Sequence, residues 1–132
     1  MAATSYGRQK IIDDLTGVAP YSPPVLYLSA HTDDPGAVGS HAFEVSAGGY
    51  ARVPLAGVMG AADSSGVSIN TTVITFGPAT ADWGTITHFG IEDASGIGAG
   101  NMICPGVPAT PRTITTGQPL QIPVGQLRLR LT

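Results

Sequence analysis

The stretch from Phe76 to Asp93, FGPATADWGTITHFGIED, decides the fold. It holds the only tryptophan, Trp83, a Gly-Pro break, and then the run Thr85-Ile86-Thr87-His88-Phe89-Gly90-Ile91-Glu92. Side chains of an extended chain alternate, so Ile86, His88, Gly90 and Glu92 are expected on one face and Thr85, Thr87, Phe89 and Ile91 on the other. Neither face is cleanly apolar, which is the pattern of a strand deep in a sheet with one face against a partner rather than bulk water. Trp83, between Asp82 and Gly84, is placed to close the end of a core, its indole N–H reaching a backbone carbonyl.

Downstream, Asp93 to Asn101 is a glycine-rich connection containing a G-x-G-x-G string. A phosphate-binding loop needs a helix N-terminus after it. Here Met102-Ile103-Cys104-Pro105 follows and reads as strand, so a nucleotide site is not expected. Arg112 to Thr115, Leu120 to Pro123 and Gln126 to Leu131 give three more short strands. The last has Leu127, Leu129 and Leu131 inward against Gln126, Arg128 and Arg130 outward. Upstream, Val25 to Ser29, Phe43 to Ser46, Tyr50 to Val53, Val67 to Asn70 and Thr72 to Phe76 are strand-like, being short and rich in apolar and β-branched residues.

Only Ser5 to Leu15 is a credible helix, capped by Thr4 or Ser5 and stopped at Gly17. Gly7 weakens it, and Asp13 and Asp14 sit where the helix dipole disfavours negative charge. The helix is therefore expected to dock against the body or a neighbour. Pro20, Pro23 and Pro24 then set an extended connector that holds it away from the body. Short strands at this spacing predict an all-β fold, an antiparallel β-sandwich of jelly-roll or Ig-like type. Residues 1–24 form an N-terminal helix and attachment arm, and residues 25–132 the β-sandwich domain.

Bulk composition narrows the function. The chain has 132 residues with 11% charged, 42% hydrophobic and a net charge of −3. The usual charged share is about a quarter, so much of the surface is expected to be covered by another protein. No basic stripe marks a nucleic-acid partner. No apolar run reaches the ~18 residues of a membrane span. The start lacks the apolar segment of a signal peptide, and folding in a reducing cytoplasm is expected.

Candidate chemistry is sparse. Cys104 cannot pair within the chain and reads as a buried, small apolar thiol. Of the histidines, His31 has Asp33 and Asp34 nearby, yet His31, His41 and His88 show no metal-ligand spacing. The Asp-Asp pair fits a turn with Pro35 and Gly36. His88 near Glu92 and Asp93 lacks a nucleophile elbow. Catalytic, cofactor-binding and metal residues are all expected to be none.

Several segments carry a family resemblance: Tyr6 to Asp13, Leu26 to Ser29, Thr32 to Gly36, Glu44 to Arg52, Phe76 to Thr80, Asp82 to Ile91 and Thr113 to Gly117. In this order they resemble small tailed-bacteriophage virion proteins of tail-fibre-like type, over nearly the whole chain. The string Trp83-Gly84-Thr85-Ile86-Thr87-His88-Phe89 is its most specific part. The resemblance implies a non-catalytic virion component, assembled in the host cytoplasm. A fibre shaft needs length or repeats, and the chain has neither. The expectation is therefore a capsid decoration (cement) protein, with a small tail-fibre or tail adaptor protein as the alternative. A carbohydrate-binding module using Trp83 or Tyr50 as a stacking platform is a further alternative. Expected partners are major capsid or tail proteins and further copies of the chain, with a trimer the favoured oligomer.

Overall fold

The computed structural model describes residues 3–22 and 24–130, with the side chains of residues 106–109 excepted. One helix, α1 (Ser5–Leu15), precedes eight strands: β1 (Tyr27–His31), β2 (Val53–Pro54), β3 (Val67–Ile69), β4 (Ile74–Phe76), β5 (Gly84–Glu92), β6 (Met102–Ile114), β7 (Leu120–Ile122) and β8 (Arg128–Arg130). All pairings are antiparallel. A four-stranded sheet has the order β2-β1-β5-β6, and the ribbons β3-β8 and β4-β7 complete the sandwich. The expected all-β sandwich with a short N-terminal helix is therefore what the chain forms.

The long strand of the opening stretch is β5, and its register with β1 sorts the two faces. Leu28 lies opposite Ile91 and Ala30 opposite Phe89, and all four enter the apolar core. Ser29 lies opposite Gly90 and His31 opposite His88, on the other face. Ile86 was expected to share the face of Gly90 and Glu92, but it joins Phe89 and Ile91 in the core. The pairing with β6 shifts register between Ile86 and His88, and such bulges twist and re-aim a ladder. Met102–Pro105 and Arg112–Ile114 are likewise parts of one strand, β6, with register shifts along its pairing with β5; Thr115, expected to extend the second run, lies beyond its end. β1 runs two residues past the expected Ser29, ending at His31, while Phe43 to Ser46 contributes a single bridge from Glu44 to His31. At β8 Leu127 is buried and Leu129 half-buried. Leu131 and Pro23 lie outside the described residues.

An aromatic ladder fills the core between the layers. Phe76 stacks on Tyr50 and on Phe89, each at 6.0 Å between centroids, and Trp83 meets Tyr50 edge-on at 5.7 Å. Trp83 closes the ladder, its Nε1 donating to the Gly48 carbonyl at 2.9 Å. This is the role the sequence predicted.

The helix docks on the body through its first turn. Thr4 caps it, accepting from the Gly7 amide at 3.0 Å. The Thr4 amide donates to the Ile103 carbonyl at 2.9 Å, and its hydroxyl donates to the Met102 carbonyl. Gly7 is buried there, and a Cβ would collide with the Ile103 carbonyl oxygen. What looked like a weak helix residue is the point of closest approach between α1 and β6. The segment after the helix is not held away from the body: the Tyr21 ring packs on the core cluster, and the Tyr21 amide ties back to Asp14 Oδ1 at 3.1 Å.

Candidate functional site

The polar face of the β1-β5 pair carries a buried ionic cluster. Ser29 and His31 come from β1, Glu92 from the end of β5, Glu44 from the bridge to His31, and Tyr50 and Arg52 from the segment before β2. Gly90 makes room for them: a Cβ there would fall on the Ser29 Oγ and the Met102 methyl, close to Glu92 Oε1.

Arg52 grips Glu44 in two-point fashion, Nε to Oε2 and Nη2 to Oε1, both at 2.7 Å. This planar fork is the strong form of a charge-assisted pair. Its Nη1 donates to the Ala94 carbonyl at 2.7 Å and the Ala99 carbonyl at 2.9 Å. Glu44 also accepts from the Tyr50 hydroxyl at 2.9 Å and the Gly98 amide at 2.8 Å. The glycine-rich connection of residues 94–99 is thus clamped from beneath by a salt bridge. Glu92 lies 2.9 Å from His41 Nε2, accepts from Ser29 at 2.8 Å, and has Arg52 Nη2 at 3.9 Å. Among the described residues, every ion pair belongs to this cluster.

Electrostatics follow from this geometry. Burial pushes the Glu44 carboxyl up, but hydrogen bonds from Arg52, Gly98 and Tyr50 outweigh it and hold it below its usual range. Glu92 behaves alike: burial is overcome by His31, His41, Ser29 and Arg52. Burial, reinforced by the Glu44 charge, pushes the Tyr50 phenol up. Both carboxylates are therefore held ionised inside the protein.

Ser29, His31 and Glu92 have the residue types of a hydrolytic triad, yet their polarity is wrong for one. Ser29 stands 2.8 Å from His31 Nε2 but donates its one hydroxyl proton to Glu92, so the carboxylate engages the serine directly instead of orienting the imidazole. All three side chains are closed to solvent. His31 Nδ1 is also buried and has no hydrogen-bond partner among the described residues.

The other sequence candidates scatter. His88 is half-buried with Nδ1 2.9 Å from Thr87 Oγ1. Asp33 and Asp34 accept backbone amides of the turn, from Asp34 and Gly36. Cys104 is half-buried on β6, and burial pushes its thiol up, away from the thiolate a nucleophile needs. Trp83 and Tyr50, at 5% and 6% exposure, cannot serve as stacking platforms: their faces are spent on the aromatic ladder. No group of three potential metal ligands occurs among the described residues. The cluster itself, Glu44, Arg52 and Glu92, was missed. A signal existed for two of them: Glu44 and Arg52 are flanked by apolar or small residues, Phe43-Glu44-Val45 and Ala51-Arg52-Val53, and charges are almost never fully buried unless paired; Glu92, between Ile91 and Asp93, carried a weaker one.

A second feature opens to solvent. Between the four-stranded sheet and the β4-β7 ribbon is a groove of about 210 Å³. Ile86, Phe89, Leu120, Ile122 and Leu127 form its floor and Arg112 part of its rim. This volume falls below the ~300–1,000 Å³ usual for small-molecule sites.

A family model described as podophage GP4 fiber I protein gp80 matches residues 2–130. The chain belongs to that family. No curated protein matches it. As a member of the fibre I family it is a phage virion structural protein of fibre type, associated with other virion proteins. The resemblance to tail-fibre-like virion proteins is thereby confirmed at the level of the family.

Proposed function

We propose that this chain is a non-catalytic, self-associating module of the podophage fibre apparatus, an adaptor or cap and not a shaft. The observation that carries the reading is the fibre-family match over residues 2–130, on a fold whose polar cluster is sealed. Support for a structural role comes from how the polar groups are used. The two-point Arg52–Glu44 pair immobilises a surface loop, and the serine–histidine–glutamate set is closed to solvent. The module is compact and lacks the repeats a shaft would need. Tail-fibre placement is preferred to capsid decoration because the matching family is one of fibre proteins. Labelling of purified particles with an antibody to this chain, with copy number by quantitative mass spectrometry, tests the placement. A handful of copies at the tail is the expected result. Label spread over the capsid in hundreds of copies would replace it with the decoration reading.

A further inference from the structure

At the far end of α1 the sequence leaves three needs unmet. Ile12, Leu15 and Val18 are 56%, 76% and 76% exposed, although large aliphatic side chains normally help to bury a helix. Asp13 and Asp14 sit in the last turn, where backbone carbonyls already concentrate negative charge and no basic residue compensates. Neither aspartate makes an ion pair, since among the described residues all ion pairs lie in the buried cluster.

The groove has the complementary surplus. Its floor is apolar, and Arg112 lines it. Among the described residues Arg112 donates to the Gln121 carbonyl alone, at 3.0 Å. A groove too small for a usual ligand has room for one or two branched side chains. No residue of α1 lines it. The helix sits at the Met102 end of β6 and the groove near Thr110 and Arg112, roughly 20 Å along the strand at ~3.3 Å per residue.

We propose that the exposed end of α1, led by Ile12 and Leu15, docks into the arginine-rimmed groove of a second copy of this chain. Apolar side chains fill the opening between the layers, while the acidic last turn, Asp13 and Asp14, meets Arg112. Two different surfaces are used, so the contact is head-to-tail. Each copy keeps one helix end and one groove free until a ring closes or growth continues. The inference deepens the reading of a self-associating fibre module, and it names the surfaces.

Sedimentation of the isolated full chain tests it without particles, so its failure is distinct from a failure of the placement on the virion. Wild-type protein is expected to self-associate at micromolar concentration. Leu15→Asp, or Ile12→Asp in its place, breaks the helix surface; Arg112→Glu breaks the groove. Each variant, with its fold checked by circular dichroism, is expected to lose at least tenfold in association, a difference of about 1.4 kcal/mol. An equimolar mixture of the two is expected to form 1:1 dimers and nothing larger, because one intact helix end meets one intact groove. The proposal is overturned by a wild-type chain that stays monomeric, by either variant associating like wild type, or by a mixture that stays monomeric, as a helix-to-helix contact would require. A monomeric wild type whose Leu15→Asp variant is lost from particles would assign the helix end to a different virion protein and equally overturn it.

Discussion

The two faces of the central sheet treat charge in opposite ways. Beneath the glycine-rich loop, Glu44, Arg52 and Glu92 are buried and satisfied by partners from five segments of the chain. At the groove, Arg112 stands in solvent above a floor made by the outer edge of core side chains. Desolvating an ion costs several kcal/mol, and its partners offset that cost only with good geometry. The first region therefore spends its charges on fixing the chain's own loops, and the second leaves its charge available for something else. Low charge content is part of the same pattern: with 6 basic and 9 acidic residues in all, three committed inside leave few to keep the surface wet.

The comparison breaks most sharply at Arg52. Its guanidinium makes four hydrogen bonds, and Arg52→Ala leaves Glu44 buried without its counter-charge. A loss of about 3–5 kcal/mol is expected for such a broken pair, read from urea unfolding, together with faster amide exchange in residues 94–99. A loss below 1 kcal/mol, set against the ~1 kcal/mol typical of any substitution, would mean the cluster does not hold the loop.

Acid probes the same region without mutation. Glu44 and Glu92 are both held below the usual carboxylate value of 4.5. Their contribution is therefore fully present above pH 4.5 and is lost as pH falls through the folded values, where the native state must take up protons. Unfolding midpoints should fall on acidification below that point, and the slope should flatten in Glu92→Gln. A midpoint that is flat or rises there contradicts ionised carboxylates in the cluster.

These two regions were not equally legible in the sequence. Alternation around Trp83 and the Gly/Pro spacing were enough for the sandwich, because strand period and turn chemistry are local properties. Trp83 itself could be placed, since a lone indole at a strand entrance has few other uses. The ionic cluster depends on register instead. Ser29 meets Glu92 only because β1 and β5 pair with Ser29 opposite Gly90, and those residues are 63 positions apart. The bulges of β6 were equally hidden, which is why Ile86 was assigned to the wrong face. Gly7 misled for a related reason: helix propensity counts it as a cost, while its value lies in contact with a strand about a hundred residues later.

The anchor of α1 gives the next, smaller effect. Gly7→Ala improves intrinsic helix propensity by about 1 kcal/mol, yet its methyl would strike the Ile103 carbonyl. Net destabilisation of about 1–3 kcal/mol is expected, the usual range for overpacking. Thr4→Ala, which removes the cap and the bond to Met102, should cost about 1 kcal/mol. A stabilised Gly7→Ala protein would show that the first turn is not seated on β6.

The smallest expected effect sharpens the contrast furthest. Leu15 and Arg112 lie where the chain's own fold makes little use of them: Leu15 is 76% exposed, and Arg112 contributes one solvent-exposed hydrogen bond. Leu15→Ser and Arg112→Gln should leave unfolding free energy within about 0.5 kcal/mol of wild type, as surface substitutions do, when measured at concentrations dilute enough to keep the chain monomeric. The same substitutions should become visible as the protein is concentrated, because a contact between copies stabilises the folded state by mass action and makes the midpoint concentration-dependent. Wild-type midpoints would then rise with concentration while those of both variants stay flat. Dilute variants that lose more than about 1.5 kcal/mol, well beyond the ordinary surface range, would place these side chains in the chain's own fold. The division between a closed, charged face and an open, apolar one would then fail.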